Sequence, residues 1–155
     1  MDTKDSVRER FGAAAPHYAA SWPHATGPDL TALVTAADLR EGDVALDVGC
    51  GAGHTAFALA GVAARVVALD LTQAMLEQTR TGAVDRGLRH VEAREGDAEQ
   101  LPFDDESFDV VTSRLAAHHF PHAERFVAEA HRVLRPGGRF VLSDTISPDD
   151  DAQWP

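Results

Sequence analysis

Cysteine is almost missing: Cys50 is the only one in 155 residues, so no internal disulfide is possible. That suits a reducing cytoplasm, the location we expect. No apolar run approaches 18 residues, which excludes a helical membrane span. Residues 1–10 are charged and have no apolar core, so no signal peptide is expected there. Basic residues are scarce. Fourteen Lys and Arg against 25 Asp and Glu give a formal charge of −11, which repels phosphate backbones and argues against a nucleic-acid partner. The eight histidines temper this only below about pH 6.5. Repeats and low-complexity tracts are also absent. The 44% apolar residues suffice for one domain's core, because a chain of this length buries roughly 70% of its unfolded surface.

The most informative stretch is Ala45-Leu46-Asp47-Val48-Gly49-Cys50-Gly51-Ala52-Gly53-His54. An apolar run over 44–48 ends in three glycines at alternate positions, and a helix-compatible run over 53–60 follows. A second apolar run over 65–69 ends at Asp70. A strand, a glycine turn, a helix and then an acid at the next strand end is the layout of a nucleoside-binding α/β fold.

The remaining chain repeats the alternation. Residues 5–21 read as helical, with Phe11, Ala15 and Tyr18 near one face and Pro16 predicting two pieces or a kink. Residues 22–28 read as a loop, and Pro28 opens a helix with Leu30, Leu33, Val34 and Ala37 on one face. Thr72 is the expected N-cap of a helix running to about Asp85, with Met75, Leu76 and Thr79 inward and Gly87 closing it. Strand three over 90–94 alternates in polarity, as an edge strand does. An acidic loop over 96–106 precedes strand four over 108–112. Pro121 is expected to open a helix carrying Phe126, Val127, Ala130, Val133 and Leu134, which Pro136-Gly137-Gly138 stops before strand five over 139–143. Strands alternating with helices call for a parallel sheet covered on both faces, with ligands beyond the strand C-termini. Gly49 to Gly53, Asp70, Gly96-Asp97 and Ser113 all fall at such ends.

The dinucleotide fingerprint fits poorly, because counting from Gly49 its third glycine is due at His54. No Gly-Lys-Ser/Thr follows either, so no phosphate-binding loop is present. The expected nucleoside therefore carries no phosphate.

Asp47-Val48-Gly49-Cys50-Gly51-Ala52-Gly53 resembles the first motif of the Rossmann-like S-adenosylmethionine-dependent methyltransferases. Leu69-Asp70 is similar to their ribose-binding acid, and the run 96–103 to their adenine-side loop. Phe108-Asp109-Val110-Val111 resembles their strand four, and Leu134-Arg135-Pro136-Gly137-Gly138 the turn before strand five. The resemblance covers about residues 8–147 and is nearest to the ubiquinone/menaquinone-biosynthesis branch. It implies a three-layer α/β sandwich with a five-stranded parallel sheet in the order 3-2-1-4-5. It further implies methyl transfer from S-adenosylmethionine, with S-adenosylhomocysteine as product, to a small-molecule acceptor. A domain over 1–147 is expected, made of a helical cap (1–40) and a core (41–147), followed by an acidic tail over 148–155. The family's last two strands are missing, so a truncation at this tail is expected, and with it an open strand-five edge that invites a homodimer. The rival reading is a non-catalytic or truncated cofactor-binding module.

The resemblance also assigns roles. Gly49, Gly51 and Gly53 let backbone approach the methionine part of the cofactor. Asp70 accepts both ribose hydroxyls. Leu71 and Met75 pack near the adenine, Asp97 accepts from its amino group, and the Ala98 N–H reaches a ring nitrogen beside Gly96. Tyr18 closes the site from the first helix, and Asp47 lies under the loop. Ser113 sits at the strand-four end. Cys50 reads as a small buried filler rather than a nucleophile. The acid runs at 104–106 and 149–151 read as solvated faces, and no metal is expected. His118 is a candidate base facing the transferred methyl. Equally, His118 and His119 could pack and cap the helix near Pro121, and His54 reads as an early-helix surface residue.

Overall fold

The computed structural model describes residues 3–21 and 25–145. Five parallel strands, β1 (Val44–Val48), β2 (Arg65–Asp70), β3 (Val91–Glu95), β4 (Phe108–Arg114) and β5 (Leu134–Ser143), form one sheet in the order β3-β2-β1-β4-β5. Two helices precede β1, α1 (Thr3–Ala20) and α2 (Pro28–Ala37), and α3 (His54–Leu59), α4 (Gln73–Asp85) and α5 (Ala123–Val133) lie between strands. This is the expected α/β architecture and strand order.

Both faces of the sheet are apolar because successive strand residues point to opposite sides. Leu46, Val48, Val67, Leu69 and Val111 face α5, whose Phe126, Ala130 and Val133 recur at helical spacing. Ala45, Val66, Ala68 and Val110 face the other way, onto Ala37, Ala56, Leu59 and Leu76 of α2, α3 and α4. Strand β3 is an edge, as its alternation predicts. Arg139 binds the α2 end to β5: it donates to the Ala37 and Asp38 carbonyls at 3.0 and 2.8 Å and pairs with Asp43.

Several expectations need correction. Helix α1 is one element running through Pro16, which rules out the two-piece alternative of the expected two pieces or kink; proline lacks the N–H for Gly12's carbonyl, which removes one rung without ending the helix. Thr72 is the N-cap of α4 by position, but its hydroxyl makes no capping bond; instead its own N–H is held by Asp70. Helix α5 starts at Ala123, two residues beyond Pro121, with Val127 facing outward at 47% exposure. Pro136-Gly137-Gly138 does not precede strand five but bulges within it. Leu134 already pairs with Phe108, and Arg139 resumes the pairing opposite Val110. Strand β4 extends to Arg114, so Ser113 lies inside the sheet, not past its end. Residues 22–24 and the acidic tail fall outside the described residues.

Candidate functional site

All five strands run the same way, so their C-terminal ends make one rim. The order steps from β1 to β2 on one side and to β4 on the other, and the connections diverge at β1. A crevice opens there. A cavity of about 330 Å³ fills it, walled by α1 and by the turns after β1, β2, β3 and β4.

The glycine turn forms the floor. The Gly49 and Cys50 N–H groups both donate to the Leu69 carbonyl, at 2.8 and 3.0 Å, which folds the turn back over β2. Gly49, Gly51 and Gly53 all have positive φ, at 70°, 53° and 93°. Their neighbours differ. A Cβ on Gly49 would lie 2.5 Å from the Ala116 Cβ, and one on Gly53 would lie 2.7 Å from the Phe57 ring. A Cβ on Gly51 meets nothing within 4 Å, because that side is the cavity.

Asp70 stands at the end of β2. One oxygen accepts the Gly51 N–H at 2.8 Å and the other the Thr72 N–H at 2.9 Å. Burial raises its pKa, and these two N–H bonds work against that rise. The carboxylate is thus oriented, with lone pairs left to accept from a ligand hydroxyl on each oxygen.

Asp97 follows β3. It accepts the Glu99 N–H at 2.9 Å and the Lys4 ammonium at 2.6 Å. Burial would raise its carboxyl, but Lys4 and the Glu99 N–H outweigh burial and hold it below the usual value. Lys4 also reaches Glu99 at 3.1 Å, so α1 is tied across the mouth by one ammonium on two carboxylates. The neighbouring Ala98 N–H meets no acceptor among the described residues.

Of the sequence-predicted residues, Tyr18, Gly49, Cys50, Gly51, Asp70, Leu71, Met75, Gly96, Asp97, Ala98 and His118 line this one cavity. Asp47, Gly53 and Ser113 do not. Gly53 is required by Phe57 and Thr79 behind the turn, not by the cavity. Asp47 is 1% exposed beneath the loop. Its Oδ1 accepts the Thr112 hydroxyl at 2.8 Å, while Oδ2 and the Ser113 hydroxyl find no partner among the described residues. Burial pushes Asp47 up to about 7, against the Thr112 bond and with the charge of Asp70. Burial likewise raises the Cys50 thiol, which fits a filler.

Wall residues outside the expected set include Lys4, His54, Arg114 and Thr145. His54 is the first residue of α3, as expected, but is half-buried rather than exposed. Its Nε2 lies 2.9 Å from the Tyr18 carbonyl and joins α1 to the glycine turn. Arg114, 9% exposed, pairs with Asp29 of α2 at 2.6 Å. Beyond it Leu115 takes a positive φ of 53°, a strained turn that starts the last wall.

The arrangement offers an oriented carboxylate for a diol, a carboxylate and a free N–H for a polar ring edge, and an approachable glycine backbone. No Gly-Lys-Ser/Thr run follows the glycine turn to hold a phosphate. These residues fit S-adenosylmethionine. Comparison with known proteins agrees. The methyltransferase domain family matches residues 46–142. An uncharacterized methyltransferase of Bacillus subtilis (strain 168), YcgJ, is 39% identical over 140 residues, 90% of this chain and 55% of the relative. The YcgJ crystal structure superposes with a TM-score of 0.76, covering 79% of this chain and 52% of that one at 40% identity. The phthiotriol/phenolphthiotriol dimycocerosates methyltransferase of Mycobacterium tuberculosis (strain ATCC 25618 / H37Rv) is 44% identical over 73% of this chain and 42% of its own length. The ubiquinone/menaquinone biosynthesis C-methyltransferase UbiE of Brucella canis is 38% identical over 76% and 45%. The chain thus spans about half the length of the relatives it matches. With the motif, the sheet and the cavity in agreement, the chain belongs to the methyltransferase domain family, whose methyl donor is S-adenosylmethionine.

Proposed function

We propose that this chain binds S-adenosylmethionine in the β1–β2–β4 crevice and transfers its methyl group to a small-molecule acceptor. The observation that carries the reading is Asp70, held by Gly51 and Thr72 N–H groups with the open side of Gly51 beside it. When bound, the cofactor supplies a methyl carbon on a sulfonium, already a good leaving group. The protein's share is alignment and exclusion of water. Asp70 accepts the ribose hydroxyls, and Asp97 and the Ala98 N–H take the adenine edge. Leu71 and Met75 pack beside it, and Tyr18 closes the site from α1. Asp47 and Ser113 support the floor from behind. His118 takes a proton from the acceptor. Residues 1–147 act as the unit, with a cap over 1–40 and a core over 41–147.

Cofactor binding and turnover are both part of the proposal, and binding is the part tested first. That order keeps a second reading in view, a cofactor-binding module completed by a further segment or partner. The outer side of β5 is the edge on which a second copy would pair, and light scattering after size exclusion tests it by the mass of a dimer against that of a monomer. A cytoplasmic setting is supported by the single, buried cysteine. Among the described residues, no helix is long and apolar enough to cross a membrane.

Thermal unfolding tests the cofactor reading. S-adenosylhomocysteine at a hundredfold excess over its dissociation constant stabilises a binding protein by about 2.7 kcal/mol. That is about 5–10 °C in Tm for a chain of this size. An unchanged Tm at millimolar ligand contradicts the reading.

A further inference from the structure

We propose that Asp144 is a positioning residue: it holds the His118 imidazole in the tautomer with Nδ1–H on the carboxylate and leaves the Nε2 lone pair to take a proton from the methyl acceptor. This rests on the methyl-transfer reading above and adds a partner that neither the motif nor local sequence marks.

The two residues come from different connections. His118 lies in a 3₁₀ turn (Ala117–His119) beyond β4, and Asp144 is the first residue beyond β5. Because β4 and β5 pair in parallel, both emerge on the same rim. The His118 ring Nδ1 lies 2.6 Å from Asp144 Oδ1, and the His118 backbone N–H donates to Oδ2 at 3.0 Å. The Thr145 N–H donates to Oδ1 at 2.8 Å. Two backbone N–H groups thus donate to this carboxylate, one to each oxygen. The Asp144 side chain is 15% exposed. Burial alone would raise its carboxyl, but the Thr145 N–H and the backbone and ring bonds to His118 outweigh burial and keep it below the usual carboxylate value. An ionised carboxylate only accepts, so the proton between the two groups sits on Nδ1. In the neutral ring the lone pair is then on Nε2. Among the described residues nothing bonds to Nε2, and His118 lines the cavity.

The surroundings separate the two histidines. The rings of His118 and His119 lie 3.8 Å apart between centroids, and His119 packs edge-on against Phe11 of α1 at 4.9 Å. Burial lowers the His119 pKa, and the neighbouring His118 and Arg10 of α1 lower it further, against the pull of Asp144. His119 is the packing residue, and His118 is the oriented one.

The proton-transfer step balances. As the acceptor's lone pair forms its bond to the methyl carbon, the carbon–sulfur bond breaks with its electron pair staying on sulfur. The acceptor's proton moves to Nε2. The resulting imidazolium faces the Asp144 anion and later releases its proton to water through the part of the ring that is exposed. An acceptor of this site therefore carries a proton to lose, on a hydroxyl, an amine or an activated carbon. Thioethers and tertiary amines, with none, need no such pair.

The test uses the full chain labelled with ¹⁵N histidine, read by long-range ¹H–¹⁵N spectra at pH 8.5, with His118 assigned by its loss in His118→Gln. The expected result is the Nδ1–H tautomer in the unmodified protein. In Asp144→Ala the Nδ1–H to Nε2–H ratio should fall at least about threefold, with S-adenosylhomocysteine affinity within about threefold of the parent. A residue that merely straps the turn to β5 would act through the backbone N–H and leave the tautomer unchanged. Nε2–H in the unmodified chain, or an unchanged ratio in Asp144→Ala, overturns the assignment. The unmodified measurement stands even if the variant does not fold. Failure of the unmodified chain to bind S-adenosylhomocysteine is a separate result: it removes methyl transfer and overturns the proton-accepting role with it.

Discussion

Replacing Asp70 should perturb ligand binding and the fold together, because its two oxygens serve both. Each hydrogen bond to a charged group contributes about 1.5–3 kcal/mol, so two ribose bonds amount to about 3–6 kcal/mol. At about 1.4 kcal/mol per tenfold, Asp70→Ala should weaken S-adenosylhomocysteine by about 100-fold or more. The same change strands the Gly51 and Thr72 N–H groups. Each stranded donor costs about 1–3 kcal/mol, which urea unfolding should register as a stability loss of about 2–6 kcal/mol. Asp70→Asn keeps one accepting oxygen and should fall between, with binding about 10-fold weaker. Burial raises the Asp70 pKa, so affinity should fall on acidification at a higher pH than an ordinary carboxylate would give. Isothermal titration across pH measures both. A folded Asp70→Ala protein that binds within threefold of the parent refutes this role for Asp70.

The neighbouring glycines should respond in opposite ways. Gly49→Ala drives a methyl into Ala116 at positive φ and should cost about 2–4 kcal/mol of unfolding free energy. Gly51→Ala meets open space, so it should cost only about 1 kcal/mol of strain yet weaken the ligand at least about tenfold; equal effects at both would contradict the site's geometry. Asp47 titrates near 7 in the fold against about 3.9 unfolded, so the native state binds the extra proton between these values, and stability falls as pH rises from about 4 to 7. Asp47→Asn removes that loss. It should be more stable than the parent at pH 8, by up to about 4 kcal/mol, and nearly equal at pH 4. A difference independent of pH would show that Asp47 does not titrate in this range. Lys4→Met should change global stability by less than about 1 kcal/mol, since the pair is partly exposed, but should speed amide exchange in α1. Unchanged exchange would mean that Lys4 does not tie α1 down.

What was legible in the sequence is what local pattern controls. β1 over Val44–Val48 agrees residue for residue, because an apolar run ending in Gly49 has one way to stop. Asp70 and Asp97 were legible for a related reason: in a parallel sheet every strand's C-terminal residue reaches the same rim. Less legible were features set by partners far along the chain. Lys4 meets Asp97 across 93 residues, and His118 meets Asp144 across 26, with no periodicity to announce either. The start of β5 was misplaced because proline and two glycines read locally as a stop. The sheet absorbs them as a bulge, since Leu134 and Arg139 both find partners on β4. Ser113 illustrates the converse. Once β4 runs two residues further, its hydroxyl turns into the sheet's buried side instead of the rim.

His54 occupies the place where a dinucleotide fold needs its third glycine, and its ring fills that corner by bonding to Tyr18 of α1. The most direct test of the account is therefore a parallel calorimetric titration of the full chain with S-adenosylhomocysteine and with NAD. The account predicts one-to-one binding of S-adenosylhomocysteine at micromolar affinity or better, and no binding of NAD at millimolar concentration. Tight NAD binding, or no S-adenosylhomocysteine binding by a folded chain, would contradict it.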